Sequence, residues 1–345
     1  MKILLWHVHG SWTDAFVRGR HEYLLPVLPE GGAWGLGRAG RDWPASVREV
    51  DLAGLDADAV DAVVLQRPEE IDEVARLLGG RRPGVDLPAV YLEHNTPKVD
   101  FPFARHPLAD QDRIPLVHVT HFNRLAWDNG SARSLVIEHG IPDPGRLYTG
   151  ELPELGVVVN EPIRRGRVTG TDLLPAFASV APLQVFGMKT EGLAEATGID
   201  ESRVTVRGDL KTHQLHRELA RCRVYVHPMR WTSLGLSLLE AMHLGMPVVA
   251  LATTEAPRAV PPEAGAVSAD IDELLRAAQR LVADPDEARR RGVAAREAAL
   301  ERYSLGRFQD RWDELLADLG GRLRHSDNGR LEEKILVPAR ERKTP

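Results

Sequence analysis

The stretch MRWTSLGLSLLEAMHLGMPVVA, residues 229–250, reads as the exit from one strand, a short helix, and the start of the next strand. VYVHP precedes it and PVVAL closes it. Leu234, Leu238, Ala241 and Met242 recur at helical spacing and would pack into a core. Gly245 is placed to stop the helix and Pro247 to open the following strand. The spacing predicts a helix from about Ser233 to Leu244, with Ser233, Ser237 and Glu240 together on its other side. A buried helix needs neither a carboxylate on its flank nor hydroxyls at its mouth. The free amides around Ser233 to Gly235 would form a phosphate seat, and Gly235 would let a ligand approach the backbone closely. Glu240 could then accept two hydrogen bonds from vicinal hydroxyls, as on a ribose. An N-cap serine and a surface ion pair are the plainer account.

Working outward, short aliphatic runs alternate with helix-like segments. KILLWHV, DAVVLQ, PAVYLEH, PLVHVTH and SLVIEHG are too short for helices and read as buried parallel strands. RHEYLLPVL and PEEIDEVARLLGG show helical spacing. After GELPELG at 150–156, a Gly/Pro-punctuated connection, the alternation resumes through VVVNEP, LQVFGM, RVTVRGD, RVYVHP and PVVAL. Two such runs imply an α/β chain of two doubly wound domains. Boundaries fall at 1–152 and 153–304, with a last helix over 305–321 and a polar, aperiodic tail over 322–345. Two facing domains of this kind bind ligands at the carboxyl ends of their strands, in the cleft between them.

Composition narrows the field. At 345 residues, 43% apolar and 27% charged, the chain is globular and long enough for two cores. A net charge of -6 argues against nucleic acid and against membrane binding that depends on bulk charge; local basic clusters leave room for peripheral membrane contact. The single cysteine, Cys222, excludes an intramolecular disulfide and a multi-cysteine zinc site, and its strand-like setting reads as a buried thiol. MKILLWHVHG has no cleavage site and nothing near membrane-spanning length, so a cytoplasmic protein is expected.

HPMRWTSLGLSLLEAMHLGMPVVA resembles the donor-site signature of retaining GT-B glycosyltransferases, the glycogen synthase-like family four (glycosyl transferases group 1). Gly235, Ala241, Met242, Gly245, Pro247 and the two valines match, and Glu240 falls on the second Glu, which in that family holds the donor's ribose. Thr232 stands where the family has its first Glu, which contacts the donor sugar. NEPIRRGRVTGTDLLPAF resembles the family's strand-end Arg and Lys-Gly step: Arg164 matches the Arg, Gly170 the Gly, and Thr169 replaces the Lys. Arg165 and Arg167 would supply charge on the diphosphate. HGSWTDAFVRGRHEYLLPVL occupies the place of the first glycine loop, with Gly10 at the strand end and Gly19 at the loop's end. His94 in YLEHNTP matches a histidine that faces the donor sugar. His121 and Asn123 fall near the acceptor side of the cleft, and His139 with Gly140 at the domain hinge. Arg207, Gly208 and Asp209 fall where backbone reads the base.

The resemblance implies a GT-B fold with an acceptor-side first domain, a donor-binding second domain, and a C-terminal helix crossing back to the first. It implies a hexosyltransferase-like enzyme that takes a nucleoside diphosphate sugar, UDP, GDP or ADP, with retention and without metal or other cofactor. His94, Arg164 and Glu240 would be its catalytic residues, with Ser233, Leu234 and Gly235 on the donor. The acceptor, whether small molecule, lipid-linked or polysaccharide, is not specified by these residues. A non-catalytic nucleotide-sugar-binding protein is the alternative, motivated by the two threonines. A nicotinamide oxidoreductase would need a Gly-x-Gly-x-x-Gly turn, which HVHGSWTDAFVRG lacks.

Overall fold

The structure, a computed structural model, describes residues 1–98 and 100–335. A first sheet has seven parallel strands in the order β3-β2-β1-β4-β5-β6-β7. These are β1 (Lys2–Leu5), β2 (Glu22–Pro26), β3 (Val47–Val50), β4 (Ala62–Leu65), β5 (Ala89–Glu93), β6 (Leu116–His118) and β7 (Ser134–Val136). A second sheet has six, ordered β10-β9-β8-β11-β12-β13. They are β8 (Leu152–Val158), β9 (Leu183–Phe186), β10 (Val204–Gly208), β11 (Cys222–His227), β12 (Val248–Leu251) and β13 (Gly265–Ser268). Helices cover both faces, so the central strands are apolar throughout: Ala62–Leu65 and Val248–Leu251 are buried at every position.

Two local expectations change. RHEYLLPVL is not a helix; Glu22–Pro26 is β2, and the helix is Gly10–Phe16 just before it. An apolar run of this length satisfies either period, and burial of Tyr23, Leu24 and Leu25 between layers decides for the strand. Likewise GELPELG is not a linker: β8 begins at Leu152, with Leu155 and Gly156 paired to β11.

Helix boundaries follow their capping residues. Asp270 accepts from the amides of Asp272 and Glu273 to open Ile271–Ala283, and Asp284 does the same for Pro285–Arg302. Gly245 ends the motif helix at φ +87, its amide and that of Met246 returning to Met242 and Ala241. Gly292 of Pro285–Arg302 lies against that end, its Cα so close to the Gly245 carbonyl that a Cβ would sit 2.0 Å from the oxygen.

The last helix, Leu305–Ile335, crosses back to the first domain. Phe308, Trp312, Leu315, Leu316 and Leu319 join Ile3, Leu5, Trp12 and Phe16 in one core cluster. Its backbone stays helical past Gly321, so a tail beginning at Arg322 is corrected as far as Ile335; residues 336–345 lie outside the described residues. Cys222 is wholly buried, and burial pushes its thiol up to about 12. No helix among the described residues is long and apolar enough to cross a membrane.

Candidate active site

Strand order reverses between β1 and β4 in one sheet and between β8 and β11 in the other. Crevices form at such switch points, beyond the carboxyl ends of the strands. The two crevices face each other and enclose a cavity of about 660 Å³. Val8 to Ser11 come from the loop after β1, Val158 to Asn160 from the end of β8, and Met229 to Glu240 from the segment after β11. A smaller lobe of about 260 Å³ shares His9, Gly10, Ser11, Thr232, Leu234 and Leu236 with it and reaches His94 and His139.

On the second-domain side the motif helix runs Leu236–Leu244, with Gly235 as its N-cap, three residues later than the spacing predicts. Thr232, Leu234, Gly235 and Glu240 line the main cavity with Ser237. Leu238, Ala241 and Met242 are fully buried on the other side. Glu240 lies 3.7 Å from Nε2 of His216. Ser237 accepts from the Tyr225 hydroxyl at 2.9 Å. Gly235 is required by close packing: a Cβ there would sit 2.5 Å from the buried His227 ring. Ser233 turns away from the helix mouth and donates to the His94 carbonyl at 2.6 Å.

The arginines sort differently from the sequence expectation. Arg165 lines the cavity and has no ion pair among the described residues; burial, and then Arg164 beside it, pull its guanidinium below the ordinary value. Arg164 points outward onto Glu161, whose carboxyl it holds down at about 2 with help from Lys189. Arg167 pairs with Asp172 at the surface, and Arg207 pairs with Glu218. Thr169, four residues after Arg165, is fully buried and bonded to Thr171 and the Gly166 carbonyl. Gly170 takes φ +73 against the Pro228 carbonyl. Of the base-side candidates, Asp209 lines the cavity while Arg207 and Gly208 do not.

From the first domain, Gly10 lines the cavity and Gly19 does not; Gly19 sits under the Tyr23 hydroxyl at the far end of the opening helix. Gly10 leaves room for Arg41, whose Nη2 would lie 2.4 Å from a Cβ. Arg41 lines the cavity, stacks over Trp43 and has no ion pair among the described residues. The sequence reading missed it, because no motif surrounds it. His94 forms the floor of the smaller lobe, its ring 3.9 Å from that of His9 and edge-on to Trp12. Gln66, also missed, holds His94 Nε2 at 3.0 Å through its Oε1 while its amide donates to the Trp6 carbonyl. That fixes the proton on Nε2 and leaves Nδ1 a lone pair. Burial, then His9 and His139, keep His94 far below the usual imidazole range, and burial lowers His139 to about 4. His139 thus lies on the cleft, lining its smaller lobe.

Neither acceptor-side candidate reaches the cavity. Asn123 is fully buried and donates to the His94 carbonyl at 3.1 Å. His121 lines a separate surface pocket with Glu138, Arg302 and Arg307. The domains meet around this site through Ser233 to His94, the Trp231 indole to the Pro97 carbonyl at 2.8 Å, and the Phe122 amide to Glu255 at 2.7 Å.

Residues 172–284 match the Glycosyl transferases group 1 family model. Alpha-maltose-1-phosphate synthase of Mycolicibacterium smegmatis is 32% identical over 181 residues, 44% of this chain and 47% of its own length. The chain thus matches about half the length of that curated relative. HepE of Anabaena, solved in complex with UDP, is similar over 92% of this chain and 100% of its own, with TM-score 0.69 and 16% identity. Sucrose-phosphate synthase from Thermosynechococcus elongatus is similar over 95% of this chain and 100% of its own, with TM-score 0.66 and 16% identity. At that identity the structural likeness speaks for the fold. The family match covers the segment that carries Thr232, Gly235 and Glu240, and the fold around it is GT-B.

Proposed function

We propose that the protein is a glycosyltransferase that moves a sugar from a nucleoside diphosphate sugar to an acceptor, with retention and without a metal. The observation that carries this is convergence: Gly10, Arg165, Asp209, Thr232, Gly235 and Glu240, far apart in sequence, line one cavity between two switch points. Glu240 holds the ribose hydroxyls, since a carboxylate accepts from two vicinal hydroxyls at once. The diphosphate lies between the start of the motif helix and the two unpaired guanidiniums, Arg165 and Arg41. These stabilise charge as it develops on the leaving group, the task a metal performs elsewhere. Arg165 takes the place the sequence resemblance gave to Arg164.

The sugar then points into the smaller lobe, between Thr232 and His94. A neutral imidazole with Nδ1 free accepts a hydrogen bond from a sugar hydroxyl and brings no competing positive charge. HepE holds UDP, which favours UDP as the first nucleotide to try. The alternative of binding without turnover rests on Thr232 and Thr169.

The test is donor turnover. Purified protein is incubated with UDP-, GDP- and ADP-sugars, release of nucleoside diphosphate is followed, and the anomeric configuration of the product is read by proton NMR. Release from one nucleotide class without added metal, and a product of the donor's configuration, are expected. Binding with no release from any donor, in the presence or absence of acceptor sugars, would leave only the binding-protein reading.

A further inference from the structure

Beyond Asn95 the first domain holds a second pocket, of about 440 Å³, formed over the loop that follows β5. Asn95 lines this pocket and the smaller lobe of the cleft, so the two adjoin. Glu93, Asn95 and Thr96 give the pocket a polar floor, and Phe103 and Trp127 line it together with Lys98, Asp100 and Arg105. Glu93 is occupied in holding the loop: one oxygen accepts the Asn95 amide at 2.6 Å and the other faces Nε2 of buried His106 at 3.3 Å. The Asn95 side chain has no hydrogen bond among the described residues and is exposed, while Thr96 lies beside it. Trp127 is fixed against the floor by its indole, which donates to the Asn95 carbonyl at 2.8 Å. Across from the floor stands Phe103, 85% exposed, which lines the pocket together with Trp127. Single exposed apolar residues are ordinary, but two aromatics that flank one pocket with a polar floor are a binding feature.

We propose that this pocket seats the acceptor, and that the acceptor is amphipathic: a sugar or polyol head carrying an apolar aryl or alkyl group. The inference rests on the glycosyltransferase reading and names its second substrate class. The head bonds Asn95 and Thr96, which places a hydroxyl at the edge of the lobe that holds His94 and Thr232. The apolar group lies between Phe103 and Trp127. In the transfer, the acceptor oxygen forms a bond to the anomeric carbon. The bond from that carbon to the diphosphate oxygen breaks, and its electron pair leaves with the nucleoside diphosphate. The hydroxyl proton passes to the departing phosphate oxygen, so no other reactant is needed.

Matched phenyl and methyl glycosides of glucose, galactose and N-acetylglucosamine test this by calorimetric titration of the full chain in the presence of UDP. For at least one head group the phenyl glycoside is expected to bind about 10-fold or more tightly than the methyl glycoside, as burial of an aromatic ring implies. Phe103→Ser, at a position exposed enough to leave folding intact, removes that preference, and Trp127→Ala does the same. UDP affinity stays unchanged in both variants. Equal affinity for phenyl and methyl glycosides, no binding of any glycoside, or a preference that survives both substitutions would overturn the proposal. UDP binding by the parent protein reports separately on the donor site, so failure there is distinguishable from failure of the acceptor pocket.

Discussion

The two walls of the cleft are made of different materials. The second-domain wall presents carboxyl, guanidinium and hydroxyl groups: Glu240, Arg165, Asp209 and Ser237, around the start of a helix. The first-domain wall presents rings, His9, His94 and His139 over Trp12, and burial keeps all three imidazoles below their ordinary range. Among the described residues, Arg41 is its one cation on the main cavity. Apart from Arg41, charge recognition thus belongs to one wall, whereas the other supplies shape, dryness and neutral hydrogen-bond acceptors. Such a division suits a ligand with a charged nucleotide end and an uncharged sugar end.

The largest expected effect falls on the ring wall. Trp312 of the crossover helix packs edge-on to Trp12, which in turn packs on His94. Trp312→Ala should cost about 3–5 kcal/mol of stability, read by urea denaturation of the parent and the variant. A loss below about 1 kcal/mol would mean the helix does not support this wall.

Next comes the charged wall. Arg165→Ala should weaken nucleoside diphosphate binding by about 1.5–3 kcal/mol, as for a hydrogen bond to a charged group. Arg164→Ala, at a surface ion pair, should leave it nearly unchanged. Calorimetry on both variants decides, and the reverse order would restore the sequence-based register.

A third difference appears with pH. Burial lowers His118, His139 and His227 to about 4. The folded chain therefore binds fewer protons than the unfolded chain below about pH 6.5. The stability tied to these groups is full above that pH and is lost as pH falls toward 4, by about 1.4 kcal/mol per pH unit for each histidine. His139→Gln should flatten the slope between pH 6.5 and 5 by one such contribution, measured by denaturation at fixed pH steps. An unchanged slope would show that His139 is not held neutral.

The smallest effect concerns Thr232, which lines both lobes where the resembled family carries a carboxylate. Thr232→Glu should reorder turnover across a panel of nucleotide sugars rather than raise it on all of them. An unchanged ranking would remove Thr232 from the sugar site.

The charged wall was the more legible one, for a physical reason. Residues 229–250 combine a strand, a helix start and a carboxylate on one face, so local spacing puts Ser237 and Glu240 on one side, and the family resemblance adds Thr232. Of the arginines read as donor-binding, Arg165 faces the cavity and Arg164 does not, because a short helical turn, Pro162–Arg165, sends Arg164 to Glu161 and its neighbour inward. The ring wall was hidden because its members come from separate strand ends. His9 follows β1, Gln66 follows β4 and His139 follows β7, and nothing local marks them as neighbours. Misreading Glu22–Pro26 as helix also moved the glycine loop to Gly19, on the wrong end of the opening helix. Arg41 lies in a loop whose position is set by Gly10 and Trp43, contacts that spacing does not encode.

The central claim is that Glu240 and the wall around it hold a nucleotide. Calorimetric titration of UDP, GDP and ADP into the parent protein and into Glu240→Gln tests it most directly, because the substitution keeps shape and removes charge. One diphosphate should bind the parent, and the variant should bind it about 1.5–3 kcal/mol more weakly. Equal affinity in the two proteins, or no binding of any of the three to the parent, would contradict the account.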